Sequence, residues 1–289
     1  MKNNIYCPVQ CKYCMASKIN CRSKYRESGS RLGINKSCVF VNRLPGDPPL
    51  KNMDFDWNLV EGDYLGFQGI TDCFWNKYFE DLEWIVNKIE NTNIRKLVLV
   101  SKIPVNKEQI DILKQTNKVI VIYSLTGLDA LENTKTLDRV EAMIELRDAG
   151  IDTLGIIHPY IHGYADLSFL KKLHDNNFHL ISYKGFRYNP ENMKVLKKYI
   201  PEEILKQYEK NESEVMIGND YLKQQLQKYG FQYIDLKKYI RQNNRIKLNI
   251  DRKLTIKQVE KLLQVATISS SETNMKILKE EIVKRRLGE

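Results

Sequence analysis

No apolar run in this 289-residue chain reaches the length of a membrane span, which takes about 20 consecutive apolar residues. The basic-then-apolar pattern of a secretory signal is also missing: Met1-Lys2-Asn3-Asn4-Ile5-Tyr6 leads straight into the first cysteine. No membrane partner is expected, and a cytoplasmic location is. Low-complexity tracts are absent, and so is any repeat beyond the alternation of elements described below. A composition 42% hydrophobic and 28% charged supports a sizeable core and does not indicate disorder. Beyond residue 73 there is no cysteine. All six (Cys7, Cys11, Cys14, Cys21, Cys38 and Cys73) lie in the first quarter. A secreted disulfide framework would spread an even set through a short chain. Thiols crowded in this way read instead as metal ligands or catalytic groups. No block of like charge dominates. The net charge of +10 permits a polyanionic partner, but the lysines are spread along helical segments and read as solvated faces.

What is present is an alternation of elements. Tyr64-Leu65-Gly66-Phe67, Leu97–Val100, Val119–Tyr123, Leu154–Ile157 and Phe178–Ile181 are near-continuous apolar runs, as expected of strands buried on both faces. Ile5-Tyr6 reads as the end of a short initial strand. Helical faces lie between the runs. Phe79, Leu82, Ile85, Val86 and Ile89 mark one, and Ile110, Ile112 and Leu113 a shorter one. Leu137, Val140, Ile144 and Ala149 mark a third, which Gly150 stops. Leu167, Leu170 and Leu173 mark the last. Such alternation predicts an α/β fold with a parallel sheet and right-handed crossovers. Eight units close a full barrel over about 250 residues; about six units here predict a partial (β/α)6 barrel over residues 1–188. A mainly helical C-terminal region is expected over 189–289, with one strand at Phe231–Ile234. Ile19–Asn58 reads as a long irregular loop, a lid or binding element. In parallel β/α folds the chemistry gathers at the strand C-termini.

Cys7, Cys11 and Cys14 form Cys-x3-Cys-x2-Cys. Thiolates suit iron–sulfur clusters or zinc. Three of them hold three corners of a four-iron cube and leave one iron open to a further ligand. The zinc alternative combines Cys11 and Cys14 with His158 and His162, but the intervening stretch far exceeds the usual ~12–15 residues. At the strand ends, Lys102 could bind a carboxylate and Ser124 could hydrogen-bond a ligand or cap its strand. Asp72 could accept from a base edge or ribose, or cap the helix that follows. His158 could transfer a proton or sit in the barrel wall. Cys73 is either a buried thiol or a hydrogen donor to a radical. Lys184 and Arg187 alternate with aromatics in Tyr183–Tyr188, a pattern suited to stacking on a base and holding anionic oxygens.

The spacing Cys-x3-Cys-x-Tyr13-Cys, after a first strand, is similar to the signature of the radical SAM superfamily. That resemblance implies a [4Fe-4S] cluster on Cys7, Cys11 and Cys14. It also implies S-adenosyl-L-methionine (SAM), cleaved reductively to methionine and a 5′-deoxyadenosyl radical that abstracts hydrogen from substrate. The implied fold is a partial barrel of six β/α units. Gly69-Ile70-Thr71-Asp72 resembles the Thr-Asp motif of the spore-photoproduct-lyase-like branch. Ser101-Lys102 resembles that branch's Thr-Lys motif, whose lysine reaches the SAM carboxylate. Ser124-Leu125-Thr126-Gly127, Asp138-Arg139 and Pro159-Tyr160-Ile161-His162-Gly163 are also similar to segments of the branch.

On this resemblance Tyr13, Gln68, Gly69, Thr71, Lys102, Ser124 and Ile161 are expected around SAM. Asp72, Phe74, Lys184 and Arg187 are expected around substrate, and Asp72, Cys73 and His158 in catalysis. The resemblance covers roughly residues 5–185. It departs from the family where Gln68-Gly69 stands near the usual Gly-Gly-Glu, where Cys73-Phe74 follows Thr-Asp, and where His162 replaces a proline. The partners implied are a small nucleoside-like substrate and an electron donor such as flavodoxin or ferredoxin, the reaction being that of a lyase. Two alternatives stand beside this: a photoproduct-lyase-like enzyme acting on nucleic acid, and a non-catalytic metal-cluster protein.

Overall fold

A computed structural model describes residues 7–14, 32–35, 38–41, 49–52, 60–67, 71–187, 190–209, 214–236, 239, 247–248 and 283. Its strands are β1 (Leu32–Asn35), β2 (Cys38–Val41), β3 (Val60–Phe67), β4 (Asn93–Ser101), β5 (Val119–Ser124), β6 (Asp152–Ile157), β7 (Leu180–Tyr183), β8 (Phe186–Arg187), β9 (Glu214–Val215), β10 (Gln232–Tyr233) and β11 (Lys247–Leu248). The helices are α1 (Phe79–Ile89), α2 (Lys107–Leu113), α3 (Thr136–Asp148), α4 (Phe169–Asp175), α5 (Pro190–Leu196), α6 (Glu202–Lys206) and α7 (Asn219–Lys228).

The main sheet runs β1-β2-β3-β4-β5-β6-β7-β10, with β11 beside β3. β2 through β7 form six parallel strands, and β10 adds to them in parallel beside β7. Among the described residues this path has two ends, so the sheet is open. The fold is thus α/β with a parallel sheet and crossover helices, as the alternation predicts.

Each strand alternates between two faces. Leu97, Leu99, Val119, Val121 and Tyr123 join residues of α1, α2, α3, α4 and α7 in the largest buried cluster. Val98, Ile120, Ile122, Leu154 and Ile156 point the other way and form a separate cluster, against which Leu180, Ile234 and Leu236 pack. Burying both faces is why the strands read as continuous apolar runs. Full burial of each such side chain stabilises the fold by about 1.5–3 kcal/mol.

Local signals set the ends of the elements. Asn106 and Gln109 form a reciprocal capping box at the start of α2. Gly150, at φ +79°, ends α3, and the Ile151 N–H reaches back to the Leu146 carbonyl at 2.9 Å.

Two expectations are corrected. The Ile19–Asn58 segment is not irregular throughout: β1 and β2 form an antiparallel pair inside it, and β2 lies parallel to β3. The sixth strand lies at Leu180–Tyr183 rather than Phe178–Ile181. Phe178 belongs to the end of α4, its N–H donating to Leu173 at 3.0 Å and its ring lying under Arg147. The strand expected at Ile5-Tyr6 lies outside the described residues. Gln232 and Tyr233 form the expected strand near residue 231, so the sheet continues past residue 188, and α5, α6 and α7 supply helix in the region beyond it.

Candidate active site

The strand-end geometry follows from the two-residue period. The series on the Val98 face continues from Val98 through Val100 to Lys102, from Ile122 to Ser124, from Ile156 to His158, and from Leu180 through Ser182 to Lys184. Four of the residues expected at the site therefore share one face at the C-terminal ends of β4, β5, β6 and β7.

The cysteine loop, residues 7–14, is fastened to this end of the sheet. The Lys12 N–H donates to the Leu131 carbonyl at 2.9 Å, and the Asn133 N–H to the Val9 carbonyl at 2.9 Å. The Asn133 side chain donates to the Pro8 carbonyl at 3.1 Å, and the Asn192 side chain to the Tyr13 carbonyl at 2.7 Å. Gln10 takes φ +46°, a left-handed conformation that a non-glycine residue keeps only where its surroundings over-determine it.

Tyr13 carries the link into the interior. Its hydroxyl donates to Glu132 and accepts from the Lys102 ammonium at 2.7 Å. Lys102 also meets Glu132 at 2.8 Å. Thr126 donates to the same Glu132 oxygen at 2.9 Å, and Arg139, fully buried, pairs with the other. Burial raises the Glu132 carboxyl, with Arg139 opposing, and burial lowers the Lys102 ammonium. Neither Glu132 nor Asn133 or Asn192 was found from sequence. Arg139 and Thr126 appear there only inside matched segments, with no role attached.

Cys7, Cys11 and Cys14 are half-buried and form no disulfide among the described residues. Burial pushes the Cys7 thiol up to about 12, with Asp72 adding to the effect. Burial also raises Cys11, with Lys102 pulling the other way. Thiols this weakly acidic are poor nucleophiles at neutral pH, and a bound cation is what stabilises their thiolates. Among the described residues no three His, Cys, Asp or Glu side chains converge on a single ion. A four-iron cube holds its thiolates farther apart than one ion does. Three soft donors on one short, anchored loop fit such a cluster.

The remaining expected residues divide into two groups. Asp72 is 4% exposed, and its carboxylate is engaged by the chain itself. Oδ1 accepts from the Ser101 hydroxyl at 2.7 Å and the Phe74 N–H at 3.1 Å, and Oδ2 from the N–H groups of Lys102 at 2.7 Å and Ile103 at 3.2 Å. It ties the turn after β3 to the end of β4, and burial raises its carboxyl above the usual range. Cys73 and Phe74 lie in the helix-side core at 0% and 1% exposure. The Cys73 thiol donates to the Val100 carbonyl at 3.6 Å, and the Phe74 ring lies 6.3 Å from that of Tyr123. The structure thus packs these two away from the strand-end face instead of presenting them on it. Ser124 donates to the His158 carbonyl at 2.6 Å, which makes it a link between the ends of β5 and β6.

Ile161 is fully buried in the cluster that also holds Tyr13 and Phe186. Thr71 is half-buried beside Asp72. His158 lies at the end of β6 with Glu214 3.9 Å from its Nε2. Enclosure by the protein, and then the cations Lys184, Lys102 and Arg187, lower its imidazole to about 4, so it is neutral at pH 7. Lys184 and Arg187 follow β7 on the same rim. Gln68 and Gly69 lie outside the described residues.

No protein-family model matches the chain, and no curated protein matches it. Among solved structures it is similar to Streptococcus suis SuiB bound to S-adenosylmethionine, at 12% identity and a TM-score of 0.45, over 70% of this chain and 46% of that one. It is also similar to spore photoproduct lyase complexed with dinucleoside spore photoproduct, at 12% identity and a TM-score of 0.48, over 79% of this chain and 73% of the lyase. SuiB bound to its precursor peptide SuiA matches at 12% identity and a TM-score of 0.41, over 70% of this chain and 44% of that one. The chain spans less than half the length of SuiB.

Proposed function

We propose that this chain is a radical SAM enzyme, Cys7, Cys11 and Cys14 holding a [4Fe-4S] cluster at the C-terminal rim of the parallel sheet. With cluster and SAM bound, the site supplies reductive cleavage of SAM and hydrogen abstraction from a substrate. The observation that carries this reading is the fastening of the cysteine loop. Tyr13, between the second and third cysteines, is tied through its hydroxyl to Lys102 at the end of β4 and to Glu132 after β5.

The chain's own residues have distinct tasks in this reading. Glu132 and Arg139 hold Tyr13 and Lys102 in place. Lys102 sets positive charge beside the cysteines, where a carboxylate of SAM would be received. His158 at the end of β6, Lys184 after β7 and Arg187 on β8 face the substrate in this reading. A one-electron donor of the flavodoxin or ferredoxin kind supplies the reductant. We read the substrate as nucleoside-like. Within that class our reading is queuosine or its 5′-phosphate, whose N-glycosidic bond breaks to release queuine, which makes the enzyme a lyase.

Anaerobic reconstitution tests the reading. The chain should take up about four irons, and SAM should change the electron paramagnetic resonance spectrum of the reduced cluster. Cys11→Ala should lose both properties. Full iron content and an unaltered spectrum in that variant would refute the ligand assignment.

A further inference from the structure

Lys184 and Arg187 outnumber the one carboxylate near them, Glu214. Lys184 is half-buried and Arg187 exposed, and among the described residues neither makes an ion pair or a side-chain hydrogen bond. Lys102 and Arg139, also at this end of the sheet, are engaged: both meet Glu132.

Their positions are set by the backbone. The Lys184 N–H donates to the Ile157 carbonyl at 2.9 Å, and its carbonyl accepts from the Tyr160 N–H at 3.0 Å. Pro159 has no N–H to give, so these two bonds bracket His158 and put Lys184 beside it. Arg187 lies on β8, in register with Glu214 of β9. Gly185, between the two cations, is where β9 comes closest: a Cβ there would stand 2.0 Å from the Val215 carbonyl oxygen. Only glycine fits, so the turn carrying both cations is locked against the β8–β9 ribbon.

The same face offers an apolar surface. Val100 on β4 is 46% exposed, whereas Val98, two residues earlier on the same face, is 5% exposed. β4 is an interior strand, so the exposure marks an opening on the face that Val98 shares. Three strand spacings separate β4 from β7, at most about 14 Å at ~4.8 Å each. That is the reach of a nucleotide-sized molecule. Glu214 faces His158 from β9; two cations against this one carboxylate leave positive charge in excess.

We propose that Lys184 and Arg187, with the imidazole of His158, form a subsite for a phosphate monoester on the substrate, whose uncharged part lies toward Val100. The proposal deepens the reading of this rim as the substrate side, but binding alone tests it. The full chain, labelled with 15N at its four histidines, is titrated with uridine 5′-monophosphate, inorganic phosphate, uridine and methionine while the His158 signal is followed. Uridine 5′-monophosphate should shift that signal saturably, inorganic phosphate more weakly, and uridine or methionine hardly at all. Lys184→Gln and Arg187→Gln should each weaken the nucleotide about tenfold to a hundredfold, as for a hydrogen bond to a charged group. Both side chains are at least partly exposed, so the variants should fold, and unchanged signals of His174 and His179 check this. Equal binding of uridine and its monophosphate, a stronger response to methionine than to phosphate, or variants that bind as the parent does would overturn the subsite. SAM cleavage is not measured here, so this failure would leave the radical SAM reading standing. Phosphate binding in a chain that never cleaves SAM would overturn that reading and keep the subsite.

Discussion

The ammonium of Lys102 lies 2.8 Å from the carboxylate of Glu132, and the Glu132 side chain is shut off from water completely. Glu132 also receives Arg139 and Thr126, and Tyr13 meets it from 119 residues away in sequence. A buried ion pair adds little to stability while intact, but breaking one leaves uncompensated charge behind. Glu132→Ala strands two buried cations, and the expected loss is about 3–5 kcal/mol in urea unfolding. Iron uptake on reconstitution should fall with it, since Tyr13 loses its anchor. An unchanged unfolding midpoint would show that the network does not hold the cysteine loop.

Asp72 accepts four hydrogen bonds from its own chain. Asp72→Asn turns one acceptor oxygen into an amino group that faces N–H or hydroxyl donors. The cost should be about 1–3 kcal/mol, read as a lower thermal midpoint in the absence of any ligand. A variant as stable as the parent but defective toward substrate would return Asp72 to a ligand-binding role.

Cys73 differs from the three loop cysteines in where it lies. It is buried among Phe74, Tyr123 and their neighbours, and burial raises its thiol well above the usual range. Cys73→Ala should cost about 1 kcal/mol as a small cavity and leave iron content unchanged. Loss of iron in this variant alone would identify a ligand outside the loop.

His158 gives stability a pH dependence of known sign. In the unfolded chain its imidazole gains a proton near pH 6.5; in the folded protein it does so only near 4. Its contribution is therefore complete above about pH 6.5 and declines as the pH falls toward 4. His158→Gln removes that component. Parallel denaturation series from pH 7 to pH 4 should show a shallower decline for the variant. Identical slopes would mean that the imidazole protonates in the folded protein as freely as in the unfolded one.

The strands were legible because burial on both faces writes itself as continuous apolar runs, Val119–Tyr123 being the clearest. β1 and β2 were not, because Leu32–Asn35 and Cys38–Val41 are only four residues each, too short for a pattern to decide, and it is pairing with β2, and of β2 with β3, that makes the strands. Phe178 has the composition of a strand residue, yet the contact that positions it is with the end of α4. Cysteine spacing is local and was readable. Glu132 was not, since it sits in an aperiodic turn and all its partners but Thr126 and Arg139 are distant in sequence. A signal did exist in α3. Arg139 shares the buried face with Thr136, Val140 and Met143, and a cation on a core-facing stripe requires an acidic partner. For Asp72 the sequence supports a carboxylate that binds a ligand and one that caps a turn equally well; only contacts 29 to 31 residues away separate them.

The central claim is that the loop of Cys7, Cys11 and Cys14 holds a cluster with one iron open to SAM. Its most direct test is the amount of 5′-deoxyadenosine released when the anaerobically reconstituted chain is mixed with SAM and a strong one-electron reductant. The account predicts about four irons per chain and reductant-dependent 5′-deoxyadenosine, both abolished in Cys11→Ala. Zinc at the cysteines, with SAM recovered intact, would contradict it.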